Sequence, residues 1–113
     1  IALMPYGNWV SGRLRNINLI KSMSPLKMFD YLASSNIIIA SDLPVYKHIL
    51  KNKYNSILID NSKTKLWIEW INKIFRYSNS YNYLKKNAFK TAKKYTWIKR
   101  SEKIIKFVNK EFF

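Results

Sequence analysis

The ionisable side chains that could support catalysis or metal binding are few in this chain, and they lie far apart. The six acidic residues are Asp30, Asp42, Asp60, Glu69, Glu102 and Glu111. Metal sites and Ser-His-Asp constellations need several such groups, and the chain has a single histidine, His48. We therefore expect no metal site and interpret His48 as a surface residue. Cysteine is absent, which excludes disulfides and thiolate chemistry.

Asp30 is the acidic residue whose neighbours indicate a ligand. It follows Ser24 and Pro25, a pair typical of a helix start, because Ser caps the free amides and Pro fits the first helical position. Such a helix start favours an anion, and Lys27 adds a positive charge. A carboxylate nearby can accept two hydrogen bonds from a ribose diol. These residues indicate a nucleotide site, although many helices with a Ser-Pro start and one Asp bind no ligand.

The elements that would position Asp30 alternate between strand and helix. Apolar runs predict three buried strands, at residues 1–5, 36–41 and 55–59. A polar, basic loop is expected at residues 7–23. It is followed by a helix from about residue 24 to 34, and a second helix is expected to begin at Pro44. The order predicts a parallel sheet with helices on the crossovers. Ligands of such folds bind at the carboxyl edge of the sheet, so Tyr6 is a candidate for the pocket rim.

The chain beyond residue 60 shows three helical stripes of apolar or small residues. The stripes consist of Trp67, Trp70, Ile71 and Ile74, then Leu84, Ala88 and Ala92, then Ser101, Ile104, Ile105 and Val108. Their spacing favours core packing of Trp67 and Trp70 over stacking on a base or sugar. The predicted fold class is α/β, with a Rossmann-like parallel sheet, flanking helices and a helical C-terminal end.

The segment SPLKMFDYLASSNIIIASDLPVYKHIL resembles a motif of the group 1 retaining glycosyltransferases of the two-domain GT-B type. The family pattern reads roughly S-P-L-K-x-F-E-Y-M-A-S-G-K-P-I-I-A-S-D-L-P. The similarity extends to AFKTAKKYTWIKRSEKII, which is similar to the family ending A-x-x-x-A-x-x-Y-T-W-x-x-R-A, and so covers roughly residues 24–107. The resemblance implies that residues 1–113 form a single, partial GT-B C-terminal domain that binds a nucleoside-diphosphate sugar donor. The acceptor domain would precede Ile1.

The resemblance also implies roles for residues between Ser22 and Asp30. Asp30 matches the second Glu of the family's E-x-x-x-x-x-x-x-E motif, which binds the nucleotide ribose. Ser22 stands at the first Glu, which contacts the transferred sugar. The segment that approaches the sugar and diphosphate is matched by Ser24, Pro25, Leu26 and Lys27. The implied enzyme is a retaining hexosyltransferase that uses neither metal nor cofactor. No catalytic residue is assigned, and the chain alone would be inactive.

Several positions depart from the family pattern. Asp30 and Ser22 replace Glu, Ser35 replaces Gly, Ile37 replaces Pro, and His48 replaces an acid. Asp keeps both acceptor oxygens of Glu but is shorter by one methylene. Trp97 matches the Trp of Y-T-W and is expected to be a packing anchor. In the GT-B arrangement the last helix crosses to the other domain, so the stripe of Ile104, Ile105 and Val108 should be partly uncovered.

The net charge of +15 has two interpretations. It is typical of a phosphate-bearing partner, such as nucleic acid, anionic lipid or a nucleotide, or it reflects a compositional bias toward Lys, Asn, Ile and Tyr. The alternatives to a glycosyltransferase are a basic module for nucleic acid or an anionic membrane, and a catalytically inactive relative.

The expected location is the cytoplasm, with peripheral contact to the anionic inner face of the membrane as a further expectation. No apolar run approaches the roughly 20 residues of a membrane span. The start IALMPY lacks the features of a signal peptide and reads as a strand entered midway. On the glycosyltransferase interpretation, no specific nucleic-acid partner is expected.

Overall fold

A computed structural model, which describes residues 1–11, 16–20, 22 and 25–113, contains one parallel sheet of three strands within those ranges. The strands β1 (Ala2–Met4), β2 (Ile38–Ser41) and β3 (Ile57–Ile59) lie side by side in that order. Leu3 pairs with Ile39, and Ala40 pairs with Leu58, with all strands parallel. The predicted strand positions and their parallel arrangement are confirmed.

The helices follow the predicted order. They are α1 (Leu26–Ala33), a short 3-10 helix (Pro44–Tyr46), α2 (Thr64–Arg76), a second 3-10 helix (Ser78–Tyr81), α3 (Asn82–Ala92) and α4 (Trp97–Phe112). Pro25 is not in the first helical position as predicted. It precedes α1 with an extended backbone (φ −77°, ψ 95°), and its carbonyl accepts from the Met28 amide at 3.0 Å. Ser24 lies outside the described residues, so its capping role remains a prediction.

Helix α1 ends in a Schellman motif that places Ser35 in the left-handed region. The Asn36 amide donates to the Tyr31 carbonyl at 3.4 Å, and the Ser35 amide donates to the Leu32 carbonyl at 3.3 Å. The φ angle of Ser35 is 54°, a value that favours glycine because it has no Cβ. The backbone therefore turns tightly from α1 into β2, at the position where the resembling family has Gly.

The core has two halves, one on each face of the sheet. On one face, alternate residues of β1 and β2 pack against Met28 and Leu32 of α1 and against Ala88 of α3. On the other face, Ile37, Ile39, Ile57 and Ile59 pack against Trp67 and Ile74 of α2. The central strand β2 is buried along its whole length. Its continuous apolar run is the expected signature of a strand that is covered on both faces.

The three C-terminal stripes differ in burial. Trp67, Ile74, Leu84 and Ala88 are buried, as the helical spacing predicted. The stripe on α4 is exposed, with Ile104 at 54 % and Ile105 at 57 % of the maximum, which confirms the expected lack of covering. The interpretation of Trp97 as a packing anchor is wrong. Its indole is 76 % exposed, because the described residues do not cover the start of α4. No helix in the described ranges is long and apolar enough to cross a membrane.

Candidate functional site

A cavity of about 460 Å³ lies between α1 and the start of α4. Helix α1 contributes Leu26, Phe29 and Asp30, whose spacing of i, i+3 and i+4 places them on one helix face. The opposite wall is formed by Lys94, Tyr95, Thr96, Trp97, Lys99, Arg100 and Lys103. The cavity therefore joins the segment that resembles the glycosyltransferase motif to residues more than sixty positions further along the chain.

Core packing decides which face of α1 meets this cavity. Met28 and Leu32, one turn apart, are buried against the sheet, so Asp30, which lies on the opposite side of the helix, points away from the sheet. Asp30 is exposed and borders the cavity. Within the described ranges, its carboxylate accepts no hydrogen bond and forms no ion pair, the one ion pair there being Lys47 with Asp42 at 3.1 Å. Asp30 is thus available to a ligand in the cavity.

Aromatic rings form part of both cavity walls. Phe29 of α1 packs against Tyr95 with ring centroids 5.7 Å apart and an interplanar angle of 53°. This pair joins α1 to the connection between α3 and α4. Trp97 is exposed, and the Arg100 guanidinium lies over its ring at 5.5 Å from the centroid. Exposed aromatic rings beside cations are suited to stacking on a nucleobase.

Positive charge is concentrated on the wall opposite Asp30. Lys94, Lys99, Arg100 and Lys103 face one carboxylate across the cavity. Helix α4 begins at the same wall, where the Thr96 hydroxyl caps it by accepting from the Lys99 amide at 3.3 Å. The Lys99 ammonium donates a hydrogen bond to the Lys93 carbonyl at 2.8 Å, which restrains the Lys99 side chain. The positive end of the α4 dipole and these cations together favour a polyanionic ligand.

The residues predicted as a site from the sequence are only partly brought together. Asp30 and Leu26 line the cavity, whereas Pro25, Lys27 and Ser22 do not. Tyr6 also lies apart from it and packs on Tyr46, with ring centroids 6.3 Å apart. Ser24 falls outside the described residues. The ligand contacts assigned to all of these residues remain predictions.

The carboxyl edge of the sheet collects a second group of polar residues. Tyr6 follows β1, Asp42 follows β2 and Asp60 follows β3. The Ser62 hydroxyl and amide donate to the Asp60 carboxylate at 2.7 and 2.9 Å, and these hydrogen bonds lower the pKa of Asp60. His48 is exposed, as expected. The described residues contain no group of three or more His, Asp or Glu side chains that could hold a metal ion.

The cationic wall was missed by the sequence interpretation. Its residues belong to the run KKYTWIKR at positions 93–100, where cations alternate with aromatic residues. Such interleaving is a recognised signal for nucleotide or nucleic-acid binding, and it could have identified Tyr95, Trp97 and Arg100 as candidates. The spatial relation of this run to Asp30 depends on the packing of Phe29 on Tyr95, which no local pattern encodes.

Comparison with known proteins adds no further assignment, because no protein-family model matches the chain and no curated protein is significantly similar to it. The resemblance to glycosyltransferases therefore rests on the motif residues themselves.

Proposed function

We propose that this chain is the donor-binding part of a retaining GT-B glycosyltransferase and binds a nucleoside-diphosphate sugar in the cavity between α1 and α4. The observation that carries the proposal is Asp30, the residue at the ribose-binding position of the resembling motif. Its carboxylate is exposed on a cavity whose opposite wall holds four cations and two aromatic rings. A cavity of about 460 Å³ is within the usual size range of small-molecule sites.

Each part of the donor has a chemical counterpart on the cavity walls. Asp30 accepts hydrogen bonds from the two ribose hydroxyls, since an ionised carboxylate offers two acceptor oxygens. Tyr95 or Trp97 stacks on the base, which gives affinity without requiring a particular base. Arg100 and Lys103 are placed to bind the diphosphate, and Arg suits phosphate because its planar fork binds two oxygens at once.

The cations also supply what the reaction requires of the donor site. In sugar transfer the bond between the anomeric carbon and the diphosphate breaks, and negative charge develops on the leaving diphosphate. Fixed cations and helix dipoles stabilise such charge in proportion to how well they are pre-positioned. In this proposal the cavity cations and the positive end of α4 take that role without a divalent ion. On this proposal the acceptor is bound by the other domain of the GT-B arrangement.

The backbone at Ser35 supports the motif resemblance independently of any ligand. The resembling family has Gly at this position, and Ser35 has a φ of 54°, in the region that favours Gly. The turn after α1 therefore has the left-handed backbone conformation that a glycine, the residue of the resembling family, adopts without strain. This agreement concerns the segment that carries Asp30, since α1 and Ser35 belong to the same helix and its C-terminal cap.

The test compares UDP and GDP binding to the wild-type chain and to Asp30→Ala by calorimetric titration. Two charge-assisted hydrogen bonds, each of about 1.5–3 kcal/mol, are lost in Asp30→Ala, so affinity should fall by roughly 10²-fold or more. Asp30→Glu should retain binding, because Glu is the residue of the resembling motif. Asp42→Ala is the matched control, since Asp42 is an exposed carboxylate that does not line the cavity.

Equal affinity of wild type and Asp30→Ala would refute the ribose role and leave Asp30 as an exposed surface carboxylate. Urea unfolding of Asp30→Ala measures its free energy of unfolding and so shows whether a change in affinity comes from the lost carboxylate or from a misfolded variant. Asp30→Ala should unfold with the wild-type free energy, because the carboxylate is exposed and has no partner among the described residues.

A further inference from the structure

The cavity between α1 and α4 is rich in hydrogen-bond donors and poor in acceptors. The side chains that can only donate are those of Lys94, Lys99, Arg100 and Lys103. Among the described residues that line the cavity, the side-chain acceptors are the Asp30 carboxylate and the hydroxyls of Tyr95 and Thr96. A ligand in this cavity therefore meets more donors than acceptors, and this imbalance bears on which base it can carry.

The acceptors at the start of α4 already have donors within the protein. The Thr96 hydroxyl accepts from the Lys99 amide at 3.3 Å, and the Thr96 carbonyl accepts from the Arg100 amide at 3.0 Å. The nearby Lys93 carbonyl accepts from the Lys99 ammonium at 2.8 Å. These groups are therefore less able to accept a hydrogen bond from a bound base.

Lys94 is the cation placed beside the aromatic rings on which a base would stack. It precedes Tyr95 in the connection between α3 and α4, is exposed, and is not part of an ion pair within the described ranges. Lys103 lies almost two helical turns, about 9 Å, beyond Trp97 along α4. A base stacked on Tyr95 or Trp97 is thus nearer to Lys94, and the diphosphate is nearer to Lys103.

We propose that the site takes a donor whose base is uracil or guanine and selects against cytosine and adenine, with Lys94 as the residue that reads the base. The inference rests on the proposed function, in which the ribose occupies Asp30. Uracil O4 and guanine O6 are acceptors, whereas cytosine and adenine carry an amino group at the corresponding position. An amino group beside the Lys94 ammonium meets another donor, so it loses hydration without gaining a hydrogen bond. Stacking alone would not distinguish these bases.

The experiment is calorimetric titration of the wild-type chain with two pairs of nucleotides, UDP with CDP and GDP with ADP. UDP and CDP have the same ribose and diphosphate, so a difference in their affinity comes from the base. UDP should bind roughly tenfold more tightly than CDP, and GDP roughly tenfold more tightly than ADP, as expected for one hydrogen bond that discriminates between bases.

Three variants assign the preference to a residue. Lys94→Met keeps the apolar stem of the side chain but removes the ammonium, so UDP should bind more weakly and its affinity should come within about twofold of that of CDP. Lys90→Met is the matched control and should keep the wild-type ratio, because Lys90 is an exposed lysine of α3 that does not line the cavity. Asp30→Ala should weaken UDP and CDP equally and leave their ratio unchanged, since both carry the same ribose.

Four results would overturn the inference. Equal binding of UDP and CDP would refute the base preference and leave the proposed nucleotide site intact. Tighter binding of CDP would show that an acceptor reads the amino group. A preference for UDP that survives in Lys94→Met would remove the role of Lys94. If none of the four nucleotides binds, the proposed function is refuted and the base preference with it.

Discussion

At the residue scale, the buried polar side chains differ in whether they have partners. The Asn55 side chain accepts from the Lys51 amide at 2.7 Å and donates to the Ile49 carbonyl and the Thr91 hydroxyl, both at 3.0 Å. It therefore links the loop before β3 to α3. By contrast, the hydroxyls of Ser41 and Tyr46 are fully buried and have no hydrogen-bond partner among the described residues. Such a group loses its hydration without compensation, which opposes folding.

Tyr46 gives a prediction about pH. Burial first, and the neighbouring Tyr6 second, raise the pKa of the Tyr46 hydroxyl above its ordinary value of about 10. Folding thus favours the neutral phenol, and this contribution is fully present below about pH 10 and declines as pH rises further. Tyr46→Phe should therefore lose less stability than the wild type between about pH 9 and about pH 11.

Urea unfolding at several pH values measures this difference. Near neutral pH, Tyr46→Phe should be as stable as the wild type or slightly more so, because it removes an unpaired buried hydroxyl. Tyr77→Phe, at a position that is 55 % exposed, is the control and should follow the wild type. Parallel loss of stability in wild type and Tyr46→Phe at alkaline pH would contradict the assignment.

At the element scale, α1 is stabilised by the cap at its C-terminal end and by its buried face. Pro25, the residue before the first turn, provides no side-chain cap. At the other end, the Schellman motif at Ser35 satisfies two backbone carbonyls of the last turn. This cap sets the direction in which the chain enters β2. It also fixes the axial position of Asp30 relative to the sheet, so the turn contributes to the geometry of the candidate site.

The turn after α1 yields a stability prediction. Ser35→Gly should raise the free energy of unfolding by about 1 kcal/mol, because the left-handed conformation costs a residue with a Cβ roughly that amount. Ser34→Gly is the control, since Ser34 has a φ of −80° and its hydroxyl donates to the Tyr31 carbonyl at 3.1 Å. It should destabilise the protein. Chemical denaturation measures both, and a loss of stability in Ser35→Gly would count against strain at this residue.

At the scale of the whole molecule, positive charge is poorly compensated. The chain has 21 basic and six acidic residues, and the described ranges contain one ion pair, between the exposed side chains of Lys47 and Asp42. The molecule is also flat, with principal extents of 56, 38 and 17 Å. Most of its charges are therefore exposed to solvent, where dissolved ions screen their mutual repulsion.

Self-repulsion of this size predicts a salt effect on stability. Raising sodium chloride from about 0.01 M to about 0.5 M shortens the screening length from about 30 Å to less than 8 Å, so the melting temperature should rise. Differential scanning calorimetry at fixed pH measures the shift. Lys86→Glu removes part of the repulsion, and its melting temperature should respond less to salt. A melting temperature that falls with added chloride would show that attractive ion pairs dominate instead.

The fold could be predicted from local sequence to a large extent. Apolar runs predicted the three strands, and their alternation with helices predicted a parallel sheet. A helix between two strands carries the chain back to the edge where the first strand began, so the second strand runs parallel to the first. Helical spacing also predicted the burial of Trp67 and Ile74. The prediction for Trp97 was wrong because periodicity shows which residues share a face but does not show what covers that face.

The candidate site, like the fold, could be predicted only in part from the sequence. By itself, the sequence determined that Asp30 lies within a helix between two parallel strands and belongs to a segment that resembles a nucleotide-sugar motif. Only the tertiary structure decided that Asp30 faces Arg100, Lys103 and the ring of Trp97 across a cavity. The reason is physical: helical and strand patterns arise from contacts between near neighbours in sequence. The cavity instead arises from the packing of α1 and α3 on one face of the sheet and the direction in which α4 then leaves α3.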